Sequence, residues 1–347
     1  MSEDKKKYRN ISELGEFGLI DHITKDVIIN HKNTLKGIGD DAAVIDHGKT
    51  CSVVTTDLLV EGIHFNLIYT PLKHLGYKAV VVNLSDIYAM NATPKQITVS
   101  VAISAKFTVE HIEELYDGIK LACEHYKVDL VGGDTSSSMT GLAISITAIG
   151  EAKKEEIAYR STANKNDIVC VTGNLGAAYM GLQLLEREKE IFKSNQGTQP
   201  QMDGYEYILQ RQLKPEARKD IFELLKELDI KPTSMIDISD GLSSEIMHIC
   251  KNSDVGCKIF QDKIPIDTNT EQMAKELNME PLVTALNGGE DYELLFTIDM
   301  KDLDKIKDQS MIHAIGHIAD KEHGAVLITS SGQSIELQAQ GWNQMKE

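Results

Sequence analysis

Where its carboxylates sit constrains this chain more than any other feature. Apolar segments repeatedly give way to an aspartate or glutamate beside Gly, Ser, Thr or a second acid: "GIGDDAAV" (37–44), "TTDLLVEG" (55–62), "NLSDIYAM" (83–90), "VGGDTSSS" (131–138), "SMIDISDGLSSE" (234–245) and "NGGEDYEL" (287–294). Asp is a poor strand former and resists desolvation, so packing does not explain it at such junctions. Segment ends of this kind converge at one edge of an α/β sheet. Crowded carboxylates repel unless cations lie between them. Asp41, Asp57, Asp86, Asp134, Asp237 and Asp240, with the hydroxyls of Thr55 and Thr56, form a set of hard oxygen donors suited to Mg2+ that carries phosphates.

Each stretch alone is weak. "GIGDD" reads equally well as a polar turn, and the glycines of "GGDTSS" as turn glycines with Asp134 as a cap. Number and placement carry the inference. The run Ala43 to Thr50, ending in Gly-Lys-Thr, formally resembles a P-loop. A P-loop needs a helix directly after it, and here the β-branched "CSVVTTD" follows, so "HGKT" is a turn between strands.

Hydrophobic periodicity divides the chain into two halves that meet near residue 155. In the first, it predicts helices over 11–24, 71–90 and 108–126 and strands over 51–57, 96–104, 128–134 and 142–152, with a loop at "GGD". In the second, "DIVCVTGNLGAAYMGLQLL" (167–185) is strand, Gly turn and helix. Helices at 205–213, 215–228 and 242–251 follow, with a strand ending at Met235 and Ile236 and strands near 255–260, 291–298, 311–318 and 325–329. Residues 189–204 are polar and broken by Gly and Pro, as in a surface insertion. The fold class is α/β (α+β with mixed sheets), in an N-terminal domain over 1–153 and a C-terminal domain over 154–347.

The net charge of −17 (36 Lys and Arg against 53 Asp and Glu) argues against broad binding to nucleic acid or an anionic membrane. An acidic chain binds a polyanion such as ATP only through bound cations or a local basic group, and Arg160 in "AYRSTANKNDIV" is a candidate for a direct phosphate contact. Five scattered cysteines without a C-x-x-C pair look like reduced, buried thiols. The start lacks the apolar stretch of a secretory signal, and no apolar run is long enough to span a membrane. The expected location is the cytoplasm.

Taken together, "GIGDDAAVI", "TTDLLVEGIHF", "KAVVVNLSDIYAMNATP", "LVGGDTS", "YRSTANKNDIVCVTGNLG", "IDISDGLSSE" and "GGEDYELLFT" resemble the thiamine-monophosphate kinases, a family with the two-domain aminoimidazole ribonucleotide synthetase-like architecture. The resemblance is collinear from about residue 12 to "GW" at 341–342, nearly the whole chain. It implies direct, Mg-assisted transfer of the γ-phosphoryl of ATP to the phosphate of thiamine monophosphate, the last step of thiamine diphosphate biosynthesis. Such an acceptor is already an anionic oxygen, so no general base or covalent nucleophile is expected. Carried over by position, the metal ligands would be Asp41, Thr55, Thr56, Asp57, Asp86, Asp134, Asp237 and Asp240. Gly133, Asp134, Arg160 and Ser239 would face the nucleotide, and Tyr126 would stack on adenine. His64, Glu290 and Trp342 would hold the acceptor, Trp342 by π and cation–π contact. Packing roles for His64 and Trp342 stay open from the residues alone. Asn91 stands where the family usually carries Gly, and Asn tolerates the left-handed backbone. The resemblance also implies several Mg2+ ions, a homodimer paired through the N-terminal domain, and no membrane or nucleic-acid partner.

Two other classes stay in view. Sibling synthetases would activate an amide, a selenide or a carboxamide. The N-terminus lacks the reactive Cys of a selenide enzyme, and the ending "GWNQMKE" lacks that of a carboxamide dehydratase. "GGEDYELLF" and the terminal Trp favour the thiamine family over the purine enzyme. A cation-dependent nucleotide-binding protein without turnover is the other class, although "DISDGLSSE" lacks EF-hand ligand spacing.

Overall fold

Two mixed sheets, formed one after the other along the chain, organise the computed structural model, which describes residues 10–195 and 199–339. The first contains β1 (Thr34–Lys36), β2 (Ala43–Asp46), β3 (Cys51–Val60), β4 (Thr93–Ile103), β5 (Asp129–Ser137) and β6 (Leu142–Ala152), in the order β1-β2-β3-β6-β4-β5. All its pairings are antiparallel except β4 with β5. The second contains β7 (Ile168–Thr172), β8 (Ser234–Asp237), β9 (Gly256–Phe260), β10 (Leu294–Ile298), β11 (Ile312–Ala319), β12 (Ala325–Ile328) and β13 (Ser334–Glu336), in the order β13-β12-β9-β11-β7-β10-β8. The helices are α1 (Gly15–Thr24), α2 (Leu72–Ala89), α3 (Val109–Tyr126), α4 (Ala177–Ser194), α5 (Glu206–Leu213), α6 (Lys219–Glu227), α7 (Leu242–Ser253), α8 (Thr268–Glu276), α9 (Pro281–Asn287) and α10 (Leu303–Ile306). None of the described helices is long and apolar enough to cross a membrane.

Helix α2 is the wall shared by both halves. Its sequence, LKHLGYKAVVVNLSDIYA, is apolar on every face, which fits a helix buried all round. Only Lys73, His74 and Asp86 retain appreciable exposure. One side packs on the first sheet through Val81, Leu84 and Tyr88, in the core that also takes Ile97, Ile144 and Ile146. The same core reaches into the second half at Ala217, Phe222 and Tyr292. Polar ties reinforce the junction: Tyr77 and Tyr126 each donate to Glu216 Oε2 (2.6 and 2.7 Å), and Asn91 donates to the carbonyl of Glu156 (2.8 Å).

Helices α2 and α3 meet through glycine on both sides. A Cβ on Gly76 would lie 2.0 Å from the carbonyl oxygen of Leu115, and one on Gly118 would lie 1.9 Å from that of Lys73. No side chain fits there, so the pair sets the depth at which α2 is buried.

Several expectations hold and others need correction. Thr50 and His47 close the turn between β2 and β3, with no helix after "HGKT". Asn91 takes φ 54, the left-handed backbone that Asn tolerates. "GGD" is not a loop: β5 continues to Ser137, because a Cβ at Gly133 would lie 1.8 Å from the carbonyl of Val99 on β4 and glycine is what lets the strands pair. The segment from 189 is helical as far as Ser194, supported by pairs three residues apart, Lys189 with Glu186 and Lys193 with Glu190. Helices α8 and α9 and strand β13 were not anticipated.

Replacing Gly76 or Gly118 with Ala should lower the unfolding free energy by about 2 kcal/mol or more, because backbone cannot yield to the added methyl. Gly132→Ala, with open space around its Cα and no left-handed φ, is the control and should stay within about 0.5 kcal/mol. Urea denaturation of the three variants measures this, and equal midpoints would refute the proposed role of the pair.

Candidate active site

Asp41, Asp86 and Asp237 come from three separate places: the loop before β2, the last turn of α2 and the last residue of β8. One carboxylate oxygen from each falls within 4.8 Å of the other two. The strand-edge expectation therefore needs amending, since Asp86 projects from the side of a buried helix. Thr55 on β3 donates to Asp86 Oδ2 (2.6 Å), and Ser85 donates to Asp237 Oδ2 (2.6 Å). Each hydroxyl fixes one carboxylate rotamer. Asp57, two residues after Thr55 and on the same face of β3, has its backbone N–H held by Asn83 Oδ1 (3.0 Å).

Burial is the main force on these groups. It raises Asp237 to about 8, with the charge of Asp41 adding to it. Asp57 is pushed to about 6 by the same cause. Asp86 is raised well above the usual carboxylate range, first by burial and then by Asp57, Asp237 and Asp41. Against this charge stands Arg160, whose guanidinium donates through Nε (3.2 Å) and Nη2 to the two oxygens of Asp41. Its backbone N–H also donates to Asp40 Oδ1 (3.2 Å), and Asp40, raised by burial to about 6, pairs with Lys36 at 3.4 Å.

The loop after β8 brings in Asp240 and Ser239. Glu245 on α7, fully buried, accepts through a single oxygen from the backbone N–H of Ser239 (3.1 Å) and of Asp240 (2.7 Å). That contact folds the loop back over the start of α7. Asp240 is raised to about 6 by burial and Glu245 to about 8.

Asp57, Ser239 and Asp240 also line a cleft of about 520 Å³. Its other walls carry His64, Tyr69, Lys78, Gln212, Glu290 and Tyr292, drawn from both halves of the chain. His64 Nδ1 accepts from the backbone N–H of Val60 (3.0 Å), which leaves the proton of the neutral ring on Nε2; burial lowers its pKa. Glu290 lies in a backbone run of left-handed residues: Gly289 at φ 69, Glu290 at 57 and Tyr292 at 51. Two non-glycine residues in that conformation within one loop are a strain that the surroundings must hold. Glu290 N–H to the carbonyl of Ser239 (2.7 Å) and Tyr292 N–H to that of Ile238 (2.9 Å) hold it.

The structure thus brings together Asp41, Thr55, Asp57, Asp86, Arg160, Asp237, Ser239 and Asp240, with His64 and Glu290 along the adjoining cleft. Four expected residues fall elsewhere. Thr56 points to the opposite face of β3, exposed, where it meets Thr147 and the carbonyl of Ile146, as strand alternation requires. Tyr126 is a core residue at 3% exposure, against Tyr77, Tyr88 and His125, with its hydroxyl on Glu216; no ring face is open to a base. Gly133 and Asp134 lie on edge strand β5, three strand spacings, about 14 Å, from the Asp57 end of β3. Trp342 lies outside the described residues. Sequence reading passed over Lys78, Ser85, Asn83 and Glu245. Glu245 sat inside a quoted motif at a helix start, where an acid that caps loop N–H groups is a readable signal.

The donor set fits a hard divalent cation. It is all oxygen, held by second hydrogen bonds, partly desolvated and balanced by only one arginine.

Comparison with known proteins supplies independent findings. The family model "AIR synthase related protein, N-terminal domain" matches residues 39–152. The thiamine-monophosphate kinase of Bacillus subtilis (strain 168) is 35% identical over 342 residues, covering 96% of this chain and 100% of that protein. That of Aquifex aeolicus (strain VF5) is 37% identical over 287 residues, 83% of this chain and 87% of its own. The solved structure of AaThiL complexed with AMPPCP and TMP superimposes with a TM-score of 0.83 at 32% identity, covering 97% of this chain and 99% of that one.

Raised carboxylate pKa values give a signed expectation. Groups protonated more readily when folded stabilise the chain below the unfolded carboxylate range near pH 4 and lose that contribution as pH rises through about 6 to 8. In EDTA, the melting temperature should therefore fall between pH 5 and 8. Added Mg2+ should raise it more at pH 8 than at pH 6, and an equal effect at both would count against a metal among these carboxylates.

Proposed function

Since this chain belongs to the thiamine-monophosphate kinase family, we infer that its cleft is where thiamine monophosphate meets ATP. The protein transfers the γ-phosphoryl of ATP to thiamine monophosphate, forming thiamine diphosphate and ADP. Our proposal concerns how its residues do so. The carrying observation is the convergence of Asp41, Asp86 and Asp237 beside a cleft walled by both halves.

Asp41, Asp57, Asp86, Asp237 and Asp240, with Thr55, would hold Mg2+. Bound there, the metal supplies neutralisation of phosphate charge and a template for the two reacting phosphates. Thr55 and Ser85 keep Asp86 and Asp237 in fixed rotamers, which limits reorganisation on binding. Arg160 and Ser239 face the nucleotide, and His64 and Glu290 hold the acceptor, with Trp342 as its ring partner. No side chain is required as a base, because the acceptor oxygen is anionic. Direct transfer then depends on position and charge alone.

We also propose the division 1–153 and 154–347 as two domains, a cytoplasmic location and a homodimer. Support for the dimer lies in β5, an edge strand exposed along its whole length, with Val131 at 58% exposure. An open edge of nine residues invites pairing unless something covers it. A dimer through this edge would also bury Gly133 and Asp134, which one chain leaves far from its own carboxylates.

Three experiments test these readings. Incubation with ATP, Mg2+ and thiamine monophosphate should give thiamine diphosphate by chromatography, whereas free thiamine should give none. Asp86→Asn or Asp237→Asn should lower kcat/KM by about a hundredfold or more with the fold retained; near-normal turnover at saturating Mg2+ would remove these residues from the site. Sedimentation equilibrium should return twice the 38.5 kDa of one chain, and Val131→Asp should shift it toward one. A monomer at micromolar concentration would end the dimer proposal.

A further inference from the structure

Lys78 projects from α2 into the cleft, yet its side chain is only 4% exposed. A buried ammonium needs compensation, and this one has two acceptors. Its Nζ lies 3.0 Å from Glu290 Oε1 and donates to the carbonyl of Gln212 (3.1 Å) at the C-terminal end of α5. The carbonyl end of a helix carries partial negative charge, so both partners favour the charged amine. Glu290's other oxygen, Oε2, accepts from Gln212 Nε2 (2.8 Å). Each oxygen of one carboxylate is therefore gripped by a different element, α2 on one side and α5 on the other. Gln212 is itself 5% exposed. The carboxylate keeps 30% of its side chain open, toward the cleft.

This grip acts on a strained residue. Glu290 holds φ 57 between Gly289 and the left-handed Tyr292. Unheld, such a loop has lower-energy alternatives. The hydrogen bonds to Ser239 and Ile238 fix the backbone, and among the described residues only Lys78 and Gln212 fix the orientation of the carboxylate.

We propose that Lys78 and Gln212 are positioning residues for the acceptor, a two-armed clamp that fixes the plane of the Glu290 carboxylate so that its remaining lone pairs meet the N–H donors of the acceptor's ring. Lys78 also balances Glu290, so that end of the cleft recognises a ring by hydrogen bonding rather than by net charge. The inference rests on the reading that Glu290 holds the acceptor.

Steady-state kinetics on four variants separates the two claims. Glu290→Gln should raise KM for thiamine monophosphate and leave KM for ATP unchanged; if it changes neither, the reading of Glu290 fails. Given that effect, Lys78→Met and Gln212→Leu should each raise KM for thiamine monophosphate by about tenfold, with kcat and KM for ATP close to normal. The Lys78→Met/Glu290→Gln double variant should be less than additive, since both changes break one contact. Should Lys78→Met fail to fold, Gln212→Leu decides, because it removes one arm without leaving a buried charge. A Glu290 effect without a Gln212 effect, or equal rises in KM for both substrates, overturns the clamp.

Discussion

The arrangement depends on one unfavourable interaction: Asp41, Asp86 and Asp237 are held close together away from bulk water, with one guanidinium among them. Such a cluster does not assemble by its own attraction. Packing imposes it, and α2 is the part that imposes most. Buried on every side, this helix has no freedom to turn Asp86 outward, and the glycine contact with α3 sets how deep it lies. The first sheet supplies Thr55 and Asp57 against one side of the helix, and β8 supplies Asp237 against another. Stability gained from the apolar faces of α2 thus offsets the cost of crowding the carboxylates around its last turn.

The same helix serves the other end of the cleft. Asp86 and Lys78 are eight residues apart on α2, about 12 Å along its axis, a span that separates a carboxylate cluster from the acceptor wall. Between them Asn83 holds the backbone of Asp57, and Ser85 holds Asp237. One rigid element therefore sets the distance between metal donors and acceptor contacts. The second half answers with two loops, 238–241 and 288–292, hydrogen-bonded to each other so that neither moves alone.

Much of this was legible in the sequence, for identifiable reasons. Long apolar segments with clear spacing, such as those forming α2, α3, β4 and β6, emerged close to their real limits because burial enforces the periodicity. Polar or short elements did not: α8 is TNTEQMAKE and β13 only three exposed residues, so neither shows a pattern. The carboxylates were visible through their company of Gly, Ser and Thr, but their grouping was not, since three elements far apart in sequence contribute them. Two misplacements were avoidable. Strand alternation sets Thr56 opposite Thr55 and Asp57, and the spacing of Leu115, Ile119, Ala122 and Tyr126 marks the core stripe of α3. Lys78 could not be recognised, because a lysine in a helix is usually a solvated one and only the tertiary fold shows it enclosed.

That α2 forms a wall for both halves has a consequence for how activity reports on assembly. The three-carboxylate cluster lacks Asp237, and the acceptor wall lacks its Lys78 arm, until both sheets have closed on the helix. A molecule with one half misdocked keeps most of its secondary structure and loses both features at once. Specific activity across a preparation therefore counts correctly docked molecules rather than measuring a graded loss of quality.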